Sequence, residues 1–174
     1  MTAAGSDNLI LVGFMGVGKS SVGRRLSHLL GRPFVDADEW IEELAGRDIP
    51  SIFSEEGEAA FRDYETKVAR RIASRRGLVV ATGGGMLGRA ENVRLLRSTG
   101  TLICLTADPE RILERTRPWS SRPLLAGAEN PLQTVRALLA QRASQYNQAE
   151  LSVDTTDRTI EEVAEELCAV FSCR

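Results

Sequence analysis

The chain has 174 residues, enough for one domain with its own core, and 43% of them are hydrophobic. Its 22 basic residues against 24 acidic ones leave a net charge of −2, which argues against non-specific nucleic-acid binding. Three cysteines without C-x-x-C spacing, a short polar N-terminus and no long apolar run argue against a disulfide framework, a zinc site, a secretory leader and a membrane span, so a cytoplasmic protein is expected.

The first apolar run, at 9–12, predicts a buried strand. Residues 13–20 then read GFMGVGKS and fit the phosphate-cradling pattern G-x-x-x-x-G-K-[ST], and an amphipathic stretch at 20–30 predicts a helix. Strand, loop and helix together turn a text match into a physical site. Glycines let the backbone approach phosphates and turn its N–H groups inward, and the helix N-terminus adds partial positive charge. Gly16, Val17, Gly18, Lys19, Ser20 and Ser21 are therefore the expected nucleotide contacts. Lys19 bridges the outer phosphates in this reading, and the Ser20 hydroxyl ligates Mg²⁺.

A second strand, at 33–36, ends in Asp36, with Asp38 two residues on. An extended backbone would point both carboxylates the same way. One then serves the Mg²⁺ shell and the other takes hydrogen bonds, and a proton, from a substrate hydroxyl. Capping of a following helix is the competing role for either. A helix is predicted over 57–75, with Phe61, Tyr64, Val68 and Ile72 as its buried stripe. Arg62 lies beside that stripe with Glu58 and Glu65 as helical neighbours, and periodicity alone makes it a surface ion pair.

The third strand, at 78–82, runs into Gly83, Gly84 and Gly85, which leave bare backbone N–H groups for a close polar ligand. Helices are predicted near 89–98, 109–115, 131–147 and 159–171, and strands at 101–106 and 151–154. Cys104 reads as a core filler. Alternation of strands and helices implies an α/β fold, a parallel sheet covered on both faces. The stretch from 115 to 130 breaks the pattern with prolines, a tryptophan and arginines, and reads as a lid that closes over the nucleotide. No N-K-x-D, H-R-D or D-F-G motif is present, which sets aside GTPase switches and protein kinases. The one histidine, His28, is a half-exposed helix residue in this reading.

In order along the chain, the phosphate loop is followed by FVDAD (34–38), IFSEEGEAAFR (52–62), GGG (83–85), RPLLAG (122–127) and RASQY (142–146). This ordered set resembles the shikimate kinase family over nearly the full length. The resemblance implies a P-loop kinase fold: a three-layer α/β/α sandwich, similar to nucleoside monophosphate kinases, with a five-stranded parallel sheet. It implies one domain over 1–174, a substrate-binding region at about 37–62 and a mobile lid at about 115–128. The activity implied is transfer of the γ-phosphate of ATP to the 3-hydroxyl of shikimate, with Mg²⁺, on the way to chorismate and aromatic amino acids. Carried over by motif, Asp38 orients the hydroxyls, Arg62 and Arg142 grip the carboxylate, and Gly84 and Gly85 line the pocket. Phe53 and Phe61 wall the ring. Ser20 and Asp36 attend to Mg²⁺, Lys19 and Arg122 stabilise the transferring group, and Arg115 stacks on adenine. A monomer is expected, with shikimate and ATP as partners and neither nucleic acid nor membrane. Two features depart from the family: residues 155–159 carry no proline to pack on adenine, and the lid at 117–121 is bulky rather than glycine-rich. A kinase for another hydroxy acid, such as gluconate, is the main rival.

Overall fold

Five apolar runs form β1 (Asn8–Val12), β2 (Phe34–Asp36), β3 (Val79–Ala81), β4 (Gly100–Thr106) and β5 (Leu151–Asp154). In the computed structural model, which describes residues 7–118, 125 and 127–172, they make one parallel sheet in the order β2-β3-β1-β4-β5. Helices cover both faces, so the central strands read as continuous apolar runs rather than alternating ones. Alternate residues of β1 serve different cores: Ile10 and Val12 join one cluster, Leu9 and Leu11 the other.

The first core is closed by α2 (Ala37–Ala45), α3 (Ile49–Glu55), α4 (Gly57–Ala73) and α5 (Ala90–Arg97). The second is closed by α1 (Lys19–Leu30), α6 (Pro109–Arg115), α7 (Pro131–Tyr146) and α8 (Ile160–Ser172). Most predicted elements recur with boundaries moved by one or two residues. The exception is 37–55, where no helix was expected and two form. α2 and α3 are short, at nine and seven residues, and only residues 46–48 separate them. Their caps are local: Asp36 accepts from the Asp38 amide, and Asp48 accepts from Ser51 ahead of Pro50 in the first turn.

With β1 between β3 and β4, the chain switches sides of the sheet at β1. Ligands collect in the crevice beyond the carboxyl ends of strands at such a point. The loops after β1, β2 and β3 all leave from that edge, which brings residues 13–18, 36–38 and 82–85 together. No helix among the described residues is long and apolar enough to cross a membrane.

Candidate active site

The loop between β1 and α1 depends on its glycines. Gly13, Gly16 and Gly18 have φ of 135°, 78° and 96°, a region L side chains rarely adopt. A Cβ on Gly13 would overlap the Leu105 carbonyl, and one on Gly16 would lie 2.7 Å from the Thr116 methyl. No side chain caps α1, which leaves its first amides to a ligand. Lys19, the first residue of α1, donates to the Phe14 carbonyl at 2.7 Å. Burial lowers its pKa to about 8, against the opposing pull of Asp38 and then Asp36. A cavity of about 630 Å³ opens over the loop, lined by residues 15–22 and by Asp36, Asp38, Thr82, Gly83, Gly84, Arg115 and Thr155 among others.

The acidic pair is placed differently from the extended geometry expected. The strand stops at Asp36, whose Oδ1 accepts from the Asp38 amide at 3.0 Å and starts α2 at once. Asp38 therefore sits in the first helical turn, and it is the turn, not a strand period, that aims it at the site. Asp36 does more than cap, because its Oδ2 also accepts from the Ser20 hydroxyl at 2.7 Å. No cluster of three or more His, Cys, Asp or Glu side chains suited to a metal occurs among the described residues. A hydroxyl beside one carboxylate suits Mg²⁺ all the same, since that ion keeps its waters and takes further oxygens from phosphates.

The three glycines after β3 organise the other half of the site. A Cβ on Gly83 would lie 2.8 Å from Asp38 Oδ1, one on Gly84 3.0 Å from Arg142 Nη1, and one on Gly85 would overlap Arg62 Nη1. Asp38, Arg142 and Arg62 come from α2, α7 and α4, so three helices deliver one charged group each to successive residues of one loop. Arg142 Nη1 donates to the Gly84 carbonyl at 3.1 Å, and its guanidinium lies 5.5 Å from the Phe14 ring centroid. Phe53 and Phe61 meet with centroids 4.6 Å apart, and the Arg62 guanidinium lies 5.3 Å from the Phe61 ring.

Arg62 is not the surface ion pair that periodicity implies. Its Nη2 meets the exposed Glu58 at 3.0 Å, but its Nη1 meets Glu65 at 2.7 Å, and the Glu65 side chain is 1% exposed. Burial opposes the Arg62 charge, yet Glu65 and Glu58 outweigh it and raise its pKa. Burial raises the Glu65 pKa, Arg62 pulls it down, and Asp38 pushes it up. Sequence reasoning gave Glu65 no functional place. The signal was present: Glu65 falls four residues after Phe61 and three before Val68, on the buried stripe itself.

At the nucleotide end, Arg115 donates to Thr155 Oγ1 at 3.0 Å, to the Thr155 carbonyl at 2.7 Å and to the Thr156 carbonyl at 3.1 Å. The Thr155 hydroxyl lies 3.0 Å from the Val17 carbonyl, which ties this loop to the phosphate loop. These anchors stand where a proline was missing from the sequence pattern. Arg122 and most of the expected lid lie outside the described residues.

The family model of shikimate kinase matches residues 15–172. A shikimate kinase of Desulforudis audaxviator is 53% identical over 148 residues, 85% of this chain and 77% of that relative. The solved shikimate kinase of Acinetobacter baumannii, in complex with shikimate, superposes with a TM-score of 0.90 at 40% identity, covering 96% of this chain and 93% of that one. A gluconokinase of Sinorhizobium meliloti reaches a TM-score of 0.57 at 19% identity, with 96% and 92% coverage, a likeness of fold alone. By sequence over most of its length, and by a fold that matches far better than the gluconokinase does, the chain belongs to the shikimate kinase family.

Proposed function

We propose that this chain transfers the γ-phosphate of ATP to the 3-hydroxyl of shikimate, giving shikimate 3-phosphate and ADP. The observation that carries this reading is the glycine triplet with Asp38, Arg142 and Arg62 against its three residues, beside the phosphate loop. Two guanidiniums are matched to a carboxylate, because each presents a planar fork of donors. Asp38 stands at the first glycine of the triplet and its charge acts on Lys19, which suits it to meet an acceptor hydroxyl that faces the nucleotide. Asp38 accepts the hydroxyl proton as the oxygen attacks phosphorus, and Lys19 leaves the Phe14 carbonyl to follow the charge moving onto ADP. Ser20 and Asp36 would hold Mg²⁺, which neutralises phosphate charge when bound. Arg122 stabilises the transferring group and Arg115 stacks on adenine, as the family resemblance implies. The same reading has a single domain with an acceptor region at about 37–62 and a lid at about 115–128. It acts as a cytoplasmic monomer without nucleic-acid or membrane partners.

A coupled ADP-release assay against a panel of acceptors tests the assignment. Shikimate is expected to sustain turnover and gluconate not; turnover with gluconate and none with shikimate would reverse it.

Nucleotide binding is also expected to take up a proton near pH 8.5. Lys19 has a pKa of about 8 in the free protein, against an ordinary 10.5, and phosphate charge restores the higher value. Well below pH 8 the lysine is already protonated and little is taken up. Above it, ADP affinity falls as pH rises. Calorimetry in buffers of different ionisation enthalpy reads the uptake, and a pH-independent affinity from 7.5 to 9.5 would mean that Lys19 does not meet the phosphates.

A further inference from the structure

We propose that Tyr146 is a positioning residue of the acceptor site: it holds the Gly84 peptide in place when Arg142 turns to an acceptor carboxylate. The inference rests on the reading above, in which Gly84 and Arg142 belong to that site. Arg142 and Tyr146 stand four residues apart near the end of α7, so both side chains leave the same helical face. They converge on one atom. The Gly84 carbonyl accepts from Arg142 Nη1 at 3.1 Å and from the Tyr146 hydroxyl at 2.9 Å. Two donors fill both lone pairs of that oxygen.

The Gly84 peptide is wedged between two machines. A Cβ there would lie 3.0 Å from Arg142 Nη1 on one side, and 3.6 Å from the Gly13 carbonyl and 3.8 Å from the Met15 amide on the other. The contact on the arginine side is tight and those on the phosphate-loop side are ordinary, so a small shift of this peptide tells first on the acceptor arginine. An acceptor carboxylate competes for the same guanidinium donors that now serve Gly84. When Arg142 yields them, the carbonyl keeps its bond from Tyr146 and is not stranded. Burial raises the phenol pKa, against the pull of the hydrogen-bonded Arg142, so the hydroxyl remains a donor. Tyr146 also packs against both hydrophobic cores, which holds its ring while Arg142 moves.

Tyr146→Phe keeps the ring and removes only the hydroxyl. Wild-type turnover of shikimate is measured first; its absence would defeat the functional reading rather than this one. Given that turnover, the variant is expected to raise the shikimate KM roughly five- to tenfold, the worth of one hydrogen bond to a half-buried carbonyl. The ATP KM and the rise in melting temperature caused by ADP should stay as in wild type. An unchanged shikimate KM, or parallel rises in both KM values, would overturn the proposal. A second measurement needs no folded variant at position 146. The chain has two tyrosines, Tyr64 and Tyr146. With 3-fluorotyrosine in both and Tyr64→Phe for assignment, the Tyr146 fluorine resonance should shift on saturation with shikimate and not with ADP. No shift with shikimate would also overturn the proposal.

Discussion

Asp38→Asn is expected to cut kcat by roughly 10²- to 10⁴-fold, the usual worth of a general base, with the fold intact. The side chain keeps its shape and its place in the first turn of α2, where a lost negative charge costs only about 0.3–1 kcal/mol through the helix dipole. Two functions go with the charge. The amide cannot take the hydroxyl proton, and it no longer supports the Lys19 ammonium. Asp38 is the leading influence that raises the Lys19 pKa against burial, so its removal drives that pKa further down. The proton uptake on ADP binding should then begin at lower pH than in wild type. Steady-state kinetics, a melting curve and calorimetry across pH separate these effects. Turnover near wild type would remove Asp38 from the chemistry, and a collapsed melting transition would make it a structural residue.

How far the sequence reveals this site depends on the physical demand behind each residue. Gly13, Gly16 and Gly18 were legible because a positive φ and a close backbone approach leave glycine little competition. Asp38 lines the cavity, but its direction comes from a helix that Asp36 starts and not from the extended backbone expected. Arg62 was legible as a helical ion pair, yet its depth was not. Whether Glu65 is solvated depends on what α4 packs against, and that is a tertiary fact. The residues of the 142–146 motif were visible as a pattern. That Arg142 and Tyr146 share one carbonyl on a loop 58 and 62 residues away follows only from the meeting of α7 with the end of β3. The parallel sheet was the most legible feature, since buried strands must be apolar on both faces.

Gly85→Ala is expected to raise the shikimate KM roughly 10- to 100-fold, the loss of charge-assisted bonds worth about 1.5–3 kcal/mol. The backbone at Gly85 has φ −105° and ψ −1°, open to alanine, so no backbone strain confuses the result. The added methyl would overlap Arg62 Nη1 and approach Cζ to 3.0 Å and Nη2 to 3.1 Å. The end of a side chain gives way before backbone does, so the fold should lose little. The guanidinium cannot withdraw freely, because Glu65 holds it at 2.7 Å from a buried position and Glu58 at 3.0 Å. It must break one of these pairs or leave the acceptor, and either way the fork no longer faces the carboxylate. The ATP KM should not change, since Gly85 does not line the cavity over the phosphate loop. Gly88→Ala is the control three residues on, where the nearest atom is Gln145 Nε2 at 3.9 Å and the kinetics should be those of wild type. Gly83→Ala should act differently, pressing on Asp38 Oδ1 at 2.8 Å and lowering kcat more than it raises the shikimate KM. If Gly85→Ala left the KM unchanged, Arg62 would not be the group that holds the acceptor, and its pair with Glu65 would serve only the packing of α4 against the loop.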